Sequence, residues 1–148
     1  MSYNGRKLKF FVDDFDGWLR KNKAVAEQFI MAEDDGETRE MLSFMTPSVH
    51  FGSFWGVVRG LPAAVALRAQ ESEHLRLTWT SGLQPLTSHT FARQGFVHVV
   101  DGQRITSIPI VGPWLSSFFQ KPVYEHLVVR EGRVTFRNIG YAWDLGKY

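Results

Sequence analysis

Apolar side chains recur at helical intervals through residues 13–35, where Phe15, Trp18, Leu19, Val25, Phe29 and Ile30 form one stripe. This spacing predicts a long amphipathic helix. Asp13, Asp14 and Asp16 suit its start, as caps and against its dipole, and the Asp-Asp-Gly at 34–36 breaks it. Residues 37–45 predict a second, shorter helix with Met41, Leu42 and Met45 on one side, stopped by Pro47. The period then changes. The stretch SVHFGSFWGVVRG, residues 48–60, predicts a hairpin of two short strands, with Val49 and Phe51 on one face, His50 on the other, and Phe54 and Trp55 at the turn. Residues 61–73 predict a third helix, with Pro62 in its first turn. From residue 75 onward apolar and polar positions alternate. Strands are predicted over 75–87, over 89–102 with a turn at 93–95, and over 103–112, 122–129 and 133–144, the last two joined by a tight turn at 130–132. Three helices with an early hairpin, followed by a meander of strands, predict an α+β fold with an antiparallel sheet. Residues 113–121 fit neither period. Their Trp114, Leu115, Phe118 and Phe119 are too apolar for a solvated loop, so this segment is expected to cover a pocket mouth or a partner subunit.

Composition narrows the class. A chain of 148 residues, 44% hydrophobic and 22% charged, is expected to form one domain, 1–148, with a core that needs neither disulfide nor metal. The twelve phenylalanines and five tryptophans fit an aromatic-rich core or an aromatic-lined cavity equally well. With no cysteine, thiol catalysis is excluded, and a cytoplasmic location is expected. The N-terminal residues contain no apolar run long enough for a signal peptide or a membrane span. The net charge of +2 comes from scattered basic residues, and the one cluster, GRKLK at 5–9, reads as part of a solvated tail, so no nucleic-acid partner is expected. No Gly-rich phosphate loop, zinc-ligand spacing or serine-nucleophile elbow is present, and neither metal nor cofactor is expected.

Three local features carry a resemblance. The first is the short strand after the second helix, ending in G-V-V-R-G before an Ala-rich helix. The second is the hairpin V-V-R-E-G-R-V at 128–134. The third is the aromatic final strand ending in Y-A-W-D. In these the chain resembles the nuclear-transport-factor-2-like superfamily, which includes ketosteroid isomerase, limonene epoxide hydrolase, scytalone dehydratase and the SnoaL-type polyketide cyclases. The resemblance implies a cone-shaped fold, in which a curved antiparallel or mixed sheet wraps around three N-terminal helices and encloses an apolar pocket. It also implies a homodimer.

Its members place their catalytic groups differently. Where the ketosteroid-isomerase type has an acid on the first strand, His50 stands here, and an imidazole titrates near neutrality. The Asp-Arg-Asp set of the limonene-epoxide-hydrolase type is absent: Asp101 is present, but Val99 and Tyr141 stand at the other two positions. His50, His98, His126, Tyr124 and Tyr141 compose a set similar to that of the scytalone-dehydratase type. Strand alternation puts His98 with Phe96, and His126 with Tyr124 and Val128; each histidine is either a satisfied structural residue or a proton-transfer group. Phe51, Trp55, Trp79, Trp114, Phe118 and Trp143 are the candidate substrate-binding aromatics, with core packing as their alternative. The resemblance implies an isomerase, dehydratase or cyclase using acid–base chemistry on a hydrophobic polyketide-, terpenoid- or steroid-like molecule. The alternative is a non-catalytic ligand-binding or dimerisation module of the same fold.

Overall fold

The structure, a computed structural model, describes residues 2–99 and 120–141, with side chains over 16–98 and 121–141. Helix α1 spans Ser2–Asp34, so the acids at 13–16 lie within it and do not cap it, and the GRKLK segment has helical backbone. Its buried stripe is Asn22, Ala26, Phe29, Ala32 and Glu33, a helical spacing that ends in a carboxylate. Gly36, at φ 73°, turns the chain into α2, Thr38–Ser43. Strand β1, Met45–Ser53, and β2, Gly56–Arg59, form the predicted hairpin. Gly60, at φ 95°, then starts α3, Leu61–His74, with a proline in its first turn.

The strand region divides differently from the prediction. The segment 75–87 contains two strands, β3 (Leu75–Trp79) and β4 (Gln84–Pro85). No turn interrupts 93–95: β5 runs unbroken over Thr90–Val99. Strand β6 covers Gln120–Arg130 and β7 covers Arg133–Tyr141, with Glu131 and Gly132 at positive φ between them. The strand predicted over 103–112 lies outside the described residues.

The strands make one sheet in the order β2-β1-β7-β6-β5-β3, with β4 pairing β5. All the pairings are antiparallel except β1 with β7, which is parallel, so the sheet is mixed. It is curved and unclosed, an α+β architecture with the helices on its concave face. On that face Met45, Val49, Phe51, Phe91, Leu127, Val129 and Val134 meet Ala26, Phe29, Met41, Ala64 and Leu67 from the three helices. A second apolar cluster on the same face joins Leu75, Val97, Val123 and Ile139, with Phe54, Leu77, Trp79 and Tyr141 around it.

An irregularity in β7 decides what lies between these clusters. Val129 pairs Val134, but Val128 pairs Phe136, so β7 has one extra residue there. Without this bulge, Val134 and Arg137 would point to opposite faces. With it, both face the helices.

Candidate functional site

Between the two apolar clusters lies a layer of buried charge. Arg93 and Glu125 face each other across β5 and β6, and Arg137 lies diagonally from Glu125 on β7. From the helices, Glu33 and Asp34 at the end of α1 and Arg68 and Glu71 on α3 reach the same layer. Arg137, fully buried, places all five of its N–H donors. Nε donates to Glu125 Oε2 at 2.9 Å. Nη1 donates to Glu71 Oε2 at 2.8 Å and to the Gly52 carbonyl at 3.1 Å. Nη2 donates to Glu71 Oε1 at 2.9 Å and to Glu33. Arg93 donates from Nε to Glu125 Oε1 at 2.8 Å and forks onto Asp34 at 2.8 and 2.7 Å. Its guanidinium lies 4.0 Å from the centre of the Trp79 ring, and that of Arg137 lies 4.3 Å from the centre of the Phe51 ring. Ser53 Oγ donates to Glu71.

Among the described residues, three arginines here meet four carboxyl groups, and the odd carboxyl is Glu33. Burial pushes its pKa well above the ordinary carboxylate value. Arg137 and Arg68 offset this only in part, and the Glu125 charge adds to it. Glu125 is equally buried and moves the other way. Burial raises it, but Arg93, the neighbouring Glu33 and Arg137 outweigh burial and bring it down to about 2. Two carboxyls in one layer are thus driven apart, with the proton on Glu33. Glu33 Oε2 is buried and 3.6 Å from Arg93 Nη2, and a hydrogen bond between Glu33 and Glu125 holds the proton within the pair.

Glu33 borders a cavity of about 570 Å³ beside α3. Asp34 and Arg68 share its charged wall with Glu33, Leu75, Leu77 and Trp79 form its apolar wall, and Arg76 stands at the rim. Gly95 is what admits Trp79. The two residues pair across β3 and β5, and a Cβ at Gly95 would lie 2.2 Å from the Thr78 carbonyl oxygen and 2.8 Å from the Trp79 ring. On the other side of α3 a cavity of about 350 Å³ is walled by Phe54, Trp55, Leu75, Val97 and Tyr141, with Gln70 and His74 at its edge. Among the described residues, no three His, Asp or Glu side chains are grouped as a metal site.

The residues nominated from sequence divide between the two faces. Tyr141 is on the concave face, against Phe54 at 4.8 Å, and lines the smaller cavity. Trp79 lines the larger one. Trp55, half exposed at the hairpin tip, lines the smaller cavity with its ring 6.2 Å from His74. Phe51 is core, fully buried under Arg137. His50, His98, His126 and Tyr124 all occupy the opposite, convex face. There His50 pairs with Phe136, His98 with Arg76, His126 with Ala92 and Asn138, and Tyr124 with Gln94 and Gly140. His50 is exposed, Tyr124 is buried, and His126 is half-buried with its ring 5.7 Å from Phe136; burial lowers the His126 pKa. The structure therefore brings together Tyr141 and Trp55, and not the three histidines with Tyr141. Trp114, Phe118 and Trp143 lie outside the described residues.

The charged layer is the part that the sequence reading missed. One signal for it was available: Val123, Glu125, Leu127 and Val129 share a strand face, and a lone acid on such an apolar face needs a buried cation.

Solved structures of similar fold are numerous. An NTF2-like protein from Burkholderia xenovorans LB400 is 16% identical with a TM-score of 0.61, covering 82% of this chain and 88% of its own. A candidate polyketide cyclase from Xanthomonas campestris is 15% identical with a TM-score of 0.62, covering 87% and 96%. A candidate ketosteroid isomerase from Kribbella flavida is 14% identical with a TM-score of 0.58, covering 82% and 78%. At these identities the likeness concerns the fold alone. No protein of curated function matches the sequence. Residues 6–145 match the family profile of the NTF2-like domain, and the chain belongs to that family.

Proposed function

We propose that the protein is a small-molecule enzyme working by proton transfer, an isomerase, dehydratase or cyclase acting on a hydrophobic, oxygenated substrate in the cavity beside α3. One observation carries this: a buried carboxyl that holds its proton, Glu33, stands in the charged wall of a cavity of about 570 Å³ whose other wall is apolar. A protonated carboxylic acid at such a wall donates to a carbonyl or hydroxyl oxygen. Asp34, bound to Arg93 through one lone pair on each oxygen, has lone pairs left to accept a proton from carbon. In an enolisation the C–H bond breaks toward Asp34, its electron pair forms the new C=C bond, and the carbonyl π pair moves onto the oxygen. Glu33 stabilises that oxygen by its hydrogen bond or by giving up its proton. The relatives named as candidate cyclase and isomerase support the class of reaction without supplying these residues.

The test is turnover of β,γ-unsaturated ketones and β-hydroxy ketones, followed by the absorbance of the conjugated enone. Wild-type turnover is expected, with kcat falling about 10²-fold or more in Glu33→Gln and unchanged in His50→Ala. Equal rates for wild type and Glu33→Gln overturn the role of Glu33. A second reading, the non-catalytic ligand-binding module, is favoured by the full internal pairing of Arg137. Binding without turnover of any of these compounds would establish it.

A further inference from the structure

The three arginines of the buried layer differ in what they have left to offer. Arg137 has spent every donor, and Arg93 is bound to Glu125 and forked onto Asp34. Arg68 donates from Nη1 to Ser72 Oγ at 2.8 Å and from Nη2 to the Glu33 carbonyl at 3.1 Å. Its carboxylate neighbours, Glu33 Oε1 and Glu71 Oε1, are each 3.8 Å away, within ion-pair range but beyond hydrogen bonding. A guanidinium carries five N–H donors, so the described residues leave Arg68 with donors to spare. Its side chain, about one-fifth exposed, faces the same cavity as Glu33. Of the acids in the wall, Asp34 is neutralised by Arg93. Arg68 and Glu33 stand side by side in that wall, with Arg68 Nε 3.8 Å from Glu33 Oε1.

We propose that the ligand of this cavity is an oxygenated organic acid, its carboxylate held by Arg68, its neighbouring hydroxyl or carbonyl against Glu33, and its hydrocarbon part on Leu75, Leu77 and Trp79. This rests on the proposed function in placing the substrate beside Glu33, and adds to it what the substrate carries. A neutral steroid-like molecule would leave the spare donors of Arg68 desolvated without an acceptor, which disfavours it here. A carboxylate gives them a charge-assisted partner.

The experiment measures binding and not turnover. The probes are 4-phenylbutanoate, 3-hydroxy-4-phenylbutanoate and the two corresponding amides, titrated by calorimetry and by tryptophan fluorescence. On the wild-type protein each acid is expected to bind about 10- to 100-fold more tightly than its amide, with the hydroxylated acid the tighter of the two. Arg68→Gln, checked by thermal melting to be folded, abolishes the preference for acid over amide. Arg68→Lys keeps a smaller one, because an ammonium supplies charge without the fork. Equal binding of acid and amide by the wild type overturns the proposal with no variant needed, as does discrimination that survives Arg68→Gln, or no binding of either acid at millimolar concentration. Acid-selective binding without any turnover leaves this inference standing and removes the enzymatic one. Turnover of neutral ketones by a protein that does not prefer acids does the reverse.

Discussion

Removing Arg137 would leave Glu33, Glu71 and Glu125 facing each other around an empty centre. Each is buried, and each would lose the cation that Arg137 alone places between them. Arg137→Met keeps the volume and the contact with Phe51 but strands the charges, and is expected to cost about 3–5 kcal/mol, read as a lower urea midpoint. Arg137→Lys should recover part of that, since an ammonium cannot make five planar bonds at once. A loss below about 1 kcal/mol in the Met variant would mean that the layer relaxes or hydrates. The same residue shows what a single sequence can disclose. Arg137 was legible as a face-mate of Ile139 and Tyr141, because strand alternation is local. Which face met the helices was not, because that depends on packing between distant elements. The histidines drew attention by their intrinsic pKa, and His50, His98 and His126 lie on the face away from the helices.

At the scale of elements, the site depends on two places where a strand departs from regularity. The bulge in β7 turns Arg137 inward, and Gly95 in β5 lets Trp79 lie across the strand onto Arg93. A methyl at 95 collides with backbone as well as with the ring, so the side chain cannot simply swing away. Gly95→Ala is therefore expected to destabilise by about 1–3 kcal/mol and to change the tryptophan fluorescence as Trp79 is displaced. Wild-type stability and an unchanged spectrum would show that β3 shifts without cost. The helices and the hairpin were legible because period and breakers agreed there: Gly36 ends α1, and Gly60 with Pro62 opens α3. Strand β5 was not read correctly, because Arg-Gln-Gly carries the composition of a turn. In the structure Gly95 serves close packing and Arg93 serves a buried ion pair, two long-range demands that a local pattern does not express. The bulge in β7 is equally hidden, since nothing in V-T-F-R-N-I marks where the alternation slips.

For the whole molecule, the opposed carboxyls make stability depend on pH in both directions. Glu125 has its pKa lowered from 4.5 to about 2 in the folded state, so its pairing contributes fully above the unfolded value and is lost as pH falls from about 4.5 through about 2. Glu33 has its pKa raised, chiefly by burial, so the folded state binds its proton more firmly than the unfolded chain does. That contribution is complete below the unfolded value and disappears as pH climbs through the raised one, where a fourth negative charge must enter a layer holding three arginines. Stability is thus expected to peak between these limits and to fall on the alkaline side as Glu33 gives up its proton. Glu33→Gln keeps a neutral side chain of the same shape and should remove the alkaline decline while sparing the acid one, measured as melting temperature against pH for both proteins. Parallel curves for wild type and variant would place the proton elsewhere, and with it the acid on which the proposed chemistry depends. If the curves separate above the ordinary carboxylate range, the pH at which the separation levels off reports the pKa of Glu33 in the empty site. An organic acid held by Arg68 should then move that pH upward, because a second negative charge beside Glu33 makes its ionisation harder still.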